Sequence, residues 1–245
     1  MRGLLLCLVL IAGCSHARGD ESAHAGFAVL ELFTSEGCSS CPPADALLAQ
    51  LTREAASSGQ AVYTLSFHVD YWNDLGWQDP FSLPDASSRQ RTYAAALSDR
   101  RVYTPELVVN GHEAFVGSDR ARARGSIRDA LAQKPGTALK VDAHASGDRV
   151  QVQFGISGVR PPHAVLQLAL VQADATSRVT RGENLGSELH HVNVVRVFRS
   201  LGPEQLASGS ASLPLPAALG RGAKLIAYLQ DLPSMQILAA GGTAL

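Results

Sequence analysis

The chain has 245 residues, nearly half of them hydrophobic, and its 21 Lys and Arg almost balance 22 Asp and Glu. That length holds one large domain or two modest ones. No basic surplus points to nucleic acid. Beyond the first dozen residues no apolar stretch is long enough to cross a bilayer.

Met1-Arg2 is a short basic start, and Gly3 to Ala12 is almost wholly apolar. The run is too short to span a membrane comfortably and predicts a secretion leader. It ends in Leu10-Ile11-Ala12-Gly13-Cys14, which resembles the bacterial lipobox: an aliphatic residue, two small residues, then the cysteine that receives lipid. That resemblance implies lipidation at Cys14, with several acyl chains giving a stable membrane anchor. The alternative is ordinary cleavage after Ala17 or Ala25. Ser15 stands where lipoproteins of the inner membrane often carry Asp, which favours the outer membrane. On either route the chain is exported to the periplasm. Cys7 then leaves with the leader and Cys14 is occupied, so Cys38 and Cys41 remain as the free thiols of an oxidising compartment. One pair two residues apart is no disulfide framework for a chain this long, so it matters locally or not at all.

Residues 1–26 read as leader and tether, the last of them small and polar. Phe27 to Phe33 is a compact apolar run that fits a buried strand of a mostly parallel sheet. Ala44, Leu47, Leu48, Leu51 and Ala55 mark one face of a helix, ended at Ser57-Ser58-Gly59. Ala61 to Val69 is the next strand. An aromatic, Pro- and Asp-rich stretch from Asp70 to Asp85 precedes a helix from about Ala86 to Ser98. Glu106–Val109 and His112–Val116, joined by Asn110-Gly111, predict a hairpin. Ser118 can cap a final helix that stops at Pro135-Gly136. The order of strand, helix, strand, helix, hairpin, helix predicts an α/β domain over 27–135. Beyond Gly136 the period changes to two, as in Val150, Val152, Phe154 and Ile156. That alternation predicts a smaller all-β, sandwich-like domain over 136–245.

Cys38-Ser39-Ser40-Cys41 lies between the first strand and the first helix. Three readings are open for it: a redox dithiol, half of a metal site, or a structural staple. Its position puts Cys38 at or near a helix N-terminus, where unpaired N–H groups and the helix dipole favour a thiolate. The thiolate is the nucleophile of thiol–disulfide exchange. Cys41, further in and less exposed, is placed to resolve a mixed disulfide. A staple across a single turn closes almost no loop and adds little stability.

The stretch V-L-E-L-F-T-S-E-G-C-S-S-C-P resembles the active-site segment of thioredoxins. Thr104-Pro105-Glu106-Leu107-Val108-Val109-Asn110-Gly111 resembles their second signature, a cis-proline, a strand and an Asn-Gly hairpin. The resemblance implies a thioredoxin-like fold for 27–135, a redox-active Cys38–Cys41 disulfide, Pro105 packed beside Cys38, and Thr104 offering backbone groups to a bound peptide. The whole chain is also similar to secreted bacterial proteins of unknown function with such a domain, through S-F-H-V-D-Y-W-N-D-L-G-W-Q-D-P-F-S and R-G-E-N-L-G-S-E-L-H-H-V-N-V-V-R. The pattern departs from thioredoxin in three places. Leu32 stands where the buried proton-accepting Asp is kept, Gly37 replaces the Trp before the first cysteine, and Ser39-Ser40 replaces Gly-Pro. Glu31 is adjacent to Leu32 but points to the opposite face of the strand.

His68 and Asp70 end a strand on the edge where open α/β sheets place ligands, and can act as a proton relay. Their alternative is capping the strand or bonding within the Tyr71-Trp72 loop. Trp72, Trp77 and Phe81 form either a substrate-facing wall or loop packing. His190-His191 with Glu183 upstream invites a metal reading, but adjacent strand residues face opposite ways, so no metal site is expected. The segment around them reads as a join between domains or a cover for the dithiol. The function expected is an exported thiol–disulfide oxidoreductase, without cofactor, acting on protein thiols or disulfides of the cell envelope. Copper binding or delivery through the same thiols with His68 or His112 is the alternative, and a non-catalytic interaction module is the third reading.

Overall fold

The computed structural model describes residues 26–97, 100–219 and 222–245. The leader, the tether up to residue 25, and Cys14 lie outside the described residues. In chain order the elements are β1 (Ala28–Thr34), α1 (Pro42–Ser58), β2 (Val62–His68), α2 (Pro84–Ala96), β3 (Glu106–Val109), β4 (Glu113–Val116), α3 (Arg120–Ala132), β5 (Thr137–Ser146), β6 (Arg149–Gly158), β7 (Ala164–Arg178), β8 (Glu188–Leu201), β9 (Ser210–Pro214), β10 (Ala223–Asp231) and β11 (Ile237–Ala244). None of the described helices is long and apolar enough to cross a membrane.

Eight strands form one mixed sheet in the order β11-β10-β7-β8-β2-β1-β3-β4, and β5-β6-β9 form a second sheet. The α/β region expected over 27–135 ends between α3 and β5, close to Pro135-Gly136. The large sheet runs across that point. β8 lies parallel to β2, with Ser66 opposite Val194, and antiparallel to β7. The β-rich half therefore shares hydrogen bonds with the first half, a pairing between segments more than 120 residues apart that local periodicity does not encode.

Strand β1 alternates as a two-sided buried strand should. Ala28, Leu30 and Leu32 pack with apolar residues of α1 and α3. Phe27, Val29 and Phe33 pack with Ala86 and Tyr93 of α2. On β7, Leu166, Leu168 and Leu170 meet Val150, Val152 and Phe154 of the second sheet, whereas Ala169 and Val171 join the cluster beside α2. Cores of this kind, filled by branched aliphatic and aromatic side chains, supply the main favourable free energy of the fold.

Local signals set the connections that frame the site. Pro42 and Pro43 open α1, where a missing N–H costs nothing, and Cys41 is its N-cap residue. Asn110 and Gly111 both have positive φ in the β3–β4 hairpin. A side chain at Gly111 would also bring its Cβ within 1.9 Å of the Met235 carbonyl oxygen, so only glycine fits. Glu31 faces away from α1, as its parity requires, and is bound by Arg89 and Tyr93 of α2.

Candidate functional site

Cys38 and Cys41 are joined in a disulfide, with their Cα atoms 5.4 Å apart. Cys38 sits in the turn before α1, its N–H donating to the Ser35 carbonyl. Cys41 begins the helix. Both are fully buried, while Ser39 and Ser40 between them are exposed. The expectation that Cys41 is the less exposed of the two is corrected: both are equally buried.

The cover comes from the turn between β7 and β8. Asn184 Nδ2 donates to the carbonyls of Glu36 (2.8 Å) and Cys38 (3.0 Å). Glu183 Oε2 accepts from the Ser39 N–H at 3.0 Å. That contact, to side chain and backbone of Ser39, holds the Glu183 carboxyl below its ordinary range. Residues nearly 150 positions away thus close over the dithiol turn. The loop after β2 packs on it as well: a Cβ at Gly37 would stand 3.3 Å from Trp72 Cβ. Trp72 Nε1 in turn donates to Thr104 Oγ1 at 2.8 Å.

The Thr104–Pro105 peptide is cis. Pro105 is buried, and a Cβ at Gly117 would meet Leu32, Ala44 and Pro105 together, so Gly117 lies between this proline and the first turn of α1. Leu32 fills the floor of that contact as an apolar residue.

A network of buried ionisable groups lies on the other side of the turn. Glu36 is fully buried; its Oε2 accepts from Trp77 Nε1 at 2.8 Å, and its Oε1 accepts from Ser177 Oγ and lies 3.2 Å from His191 Nε2. His191 Nδ1 stands 3.8 Å from Asp45 Oδ1. Asp45 Oδ2 accepts from Thr34 Oγ1. His68 Nδ1 is 2.7 Å from Asp79 Oδ2, which also accepts from the Glu36 N–H. The His68 and His191 rings meet edge to face at 4.6 Å, and Phe81 packs on both.

Charges in such a site shift one another. Burial is the largest single effect on His191 and pulls its pKa down, but attraction from Asp45, 3.8 Å from Nδ1, and contact with and attraction from Glu36 outweigh it and push it up to about 9. Burial would raise Asp79, yet its contacts with His68 and with the Glu36 and Phe81 N–H groups leave it below the usual carboxylate range. Three atoms of the network have no hydrogen-bond partner: Asp45 Oδ1, His68 Nε2 and His191 Nδ1.

Of the residues singled out from sequence, Cys38 and Cys41 are bonded to each other, Thr104 reaches the dithiol turn through Trp72, and His68 reaches it through Asp79 and the Glu36 N–H. Asp70 instead bonds Ser87 Oγ at the start of α2 through both its N–H and its carboxylate. His190 faces outward beside Asp174 while His191 is buried, as strand alternation demands. His112 lies in the β3–β4 turn, at the other end of β3 from Pro105, with Nδ1 3.2 Å from the Asn110 carbonyl. Among the described residues no group of three or more His, Cys, Asp or Glu is arranged to hold a metal ion. Sequence reasoning missed Glu36, Asp45 and Asp79. The available signal was their position in or one turn from the C-S-S-C stretch and its neighbouring loop; Glu36 and Asp45 in addition meet His191 of β8.

The sequence matches, over residues 29–230, the family described as "Protein of unknown function (DUF1223)". A crystal structure of a protein from Agrobacterium tumefaciens shares 28% identity with a TM-score of 0.62, covering 91% of this chain and 95% of that one. The HBP35 protein of Porphyromonas gingivalis has a similar fold at 14% identity, with a TM-score of 0.63 over 91% of this chain and 76% of its own. A comparison with curated proteins finds no match.

Proposed function

The chain belongs to this family of unknown function, and from its site we propose that it is an exported thiol–disulfide oxidoreductase whose 27–135 region is a thioredoxin-like unit. One observation carries the reading: a short-range disulfide packed against a buried network of carboxylates and imidazoles. A bond between residues three apart constrains the unfolded chain very little. Burying Glu36, Asp45, Asp79, His68 and His191 is costly, and such clusters concentrate where protons must be handled. The succession β1, dithiol, α1, β2, α2, then a cis-proline before β3, supports the thioredoxin-like assignment.

In the proposed reaction a partner thiolate attacks Cys38 Sγ. The Cys38–Cys41 bond breaks, its electron pair leaves on Cys41, and Cys41 takes a proton. The partner's second thiolate then attacks the mixed disulfide, closing a disulfide in the partner and releasing Cys38 as the thiolate. The partner dithiol is oxidised by two electrons and the protein dithiol is reduced by two; the reverse sequence oxidises the protein. Thr104 and Pro105 flank the position where an extended partner segment lies. The same reading assigns the protein to the cell envelope, with lipid attached at Cys14.

Exchange with a model dithiol tests the reading. Cys38→Ser should abolish it, and Cys41→Ser should accumulate mixed disulfides that separate on non-reducing gels. A wild-type disulfide that no dithiol reduces in the folded protein, or full exchange in both variants, would overturn it.

A further inference from the structure

A cavity of about 310 Å³ opens between α1 and β8, lined by Pro42, Asp45, Ala49 and Arg53 on the helix and by Glu188, His190 and His191 on the strand. Two of the lining residues carry Asp45 Oδ1 and His191 Nδ1, which face each other at 3.8 Å, beyond hydrogen-bond distance, and make no hydrogen bond to any other group. Both residues are more than nine-tenths buried. Unpartnered buried polar groups are rare in folded proteins and call for an explanation. Their position supplies one. Cys41 and Asp45 stand four residues apart at the start of one helix, the Asp45 N–H donating to the Cys41 carbonyl, so their side chains share a face.

We propose that Asp45 and His191 form a proton relay for Cys41, open to solvent through this cavity. The inference rests on the exchange reaction above. When a thiolate attacks Cys38, Cys41 leaves with the electron pair and receives a proton from the Asp45–His191 pair. The pair then recovers a proton from water in the cavity. In the reverse direction it removes the Cys41 proton so that Cys41 can attack the mixed disulfide. The relay takes the place left empty by Leu32, whose apolar side chain can move no proton.

The groups around His191 suit this task. Glu36 accepts at Nε2, Asp45 faces Nδ1, and the His68–Asp79 pair and Phe81 close the remaining sides of the ring. Arg53, Glu188 and the His190–Asp174 pair stand toward the outside, where solvent can exchange protons with the cavity. With its titration near 9, His191 carries a proton at neutral pH and is charged before Cys41 leaves.

The test is the rate of disulfide reduction by dithiothreitol as a function of pH in wild type, Asp45→Asn and His191→Gln. Removing a positioned acid should slow the neutral-pH rate roughly 10²-fold. The deficit should close as pH rises and the wild-type relay loses its own proton, and Asp45→Glu should restore part of the rate. Wild-type and variant profiles that superimpose would sink the relay while leaving the oxidoreductase reading standing; an inert wild-type disulfide would sink both. A second readout needs no turnover. In Cys38→Ser, ultraviolet thiolate absorbance of Cys41 should titrate in two coupled steps that collapse to one when His191→Gln is added. Identical titration curves would overturn the proposal on their own.

Discussion

Among the described residues, the buried ionic clusters around Glu31 and Glu36 are finished differently. Around Glu31, Arg89 Nη2 donates to the carboxylate at 2.7 Å and to Tyr93 Oη at 2.8 Å, and Tyr93 Oη donates to Glu31 Oε1. Gln230 amide nitrogen donates to Tyr93 Oη and to the Met235 carbonyl, and the guanidinium lies over the rings of Phe67, Tyr93, Phe198 and Tyr228. Tyr228 Oη alone makes no hydrogen bond there. Around Glu36, three ionisable groups each keep an atom without a hydrogen bond, His191 Nδ1 and Asp45 Oδ1 facing each other at 3.8 Å, and two of the groups line a cavity. The first cluster joins α2, β1 and β10 with its charges paired. The second has donors and acceptors in reserve beside a disulfide. Similar burial and similar residue types thus give a cluster with its charges paired in one place and, in the other, a cluster beside a disulfide in which ionisable groups themselves keep open hydrogen-bonding positions.

Breaking the paired cluster should produce the largest stability loss. Glu31→Ala or Arg89→Ala strands an uncompensated charge in the core and should cost about 3–5 kcal/mol by urea unfolding. Replacing both, with Glu31→Leu and Arg89→Met, should cost much less than the sum, because no charge is then left alone. Burial is the largest single effect on Arg89 and opposes its charge, but Glu31 and the two tyrosines outweigh it and hold it well above its ordinary value. Additive losses in the double variant would mean that the two side chains are not coupled.

The second cluster should reveal itself through pH. The His191 pKa is raised in the folded protein, from an ordinary 6.5 to about 9. Its contribution is therefore complete below pH 6.5 and is lost as pH rises through about 9. Wild type should lose about 3 kcal/mol of stability over that interval relative to His191→Gln. The Glu31 cluster should be silent in the same window, since Tyr93 and Tyr228 are pushed well above the usual tyrosine range, first by burial. Parallel pH curves for wild type and His191→Gln would erase the distinction between the two clusters.

Much of the first half was legible because its signals are local. The apolar run of β1, the three-and-four spacing of α1, Thr104-Pro105 and Asn110-Gly111 each act within a few residues. The joining of the β-rich half to the sheet of the first half was not legible in the same way. Val192, Val194 and Val195 read as a sandwich strand, yet Asn193, with positive φ, donates to Thr64 Oγ1 and helps seat β8 beside β2. A side chain's alternation says that it is half buried and says nothing of which strand lies next to it. The site divides along the same line. Cys38, Cys41 and Pro105 belong to local motifs, whereas the burial of Glu36 and Asp45 is created by His191 and Asn184 from beyond residue 180.

Asn184 gives the smallest and most local break. Its amide makes two hydrogen bonds, to the carbonyls of Glu36 and Cys38, and replaces the water that would otherwise solvate that turn. Asn184→Ala should lower global stability by only about 1 kcal/mol, the net worth of such bonds once water compensates. Its effect on chemistry should be clearer than its effect on stability. If exchange proceeds through transient opening of the turn over Cys38, the same 1 kcal/mol raises the open population about fivefold and the reduction rate by the same factor. Asn184 bonds the backbone of Glu36 and no side chain of either ionic cluster, so the pH dependence assigned to His191 should keep its midpoint. A faster reduction at an unchanged midpoint would separate access to Cys38, through the turn between β7 and β8, from the proposed proton delivery to Cys41 through the cavity between α1 and β8. An unchanged rate would mean that the dithiol opens by another route, and that the contacts of Asn184 serve the β7–β8 turn alone.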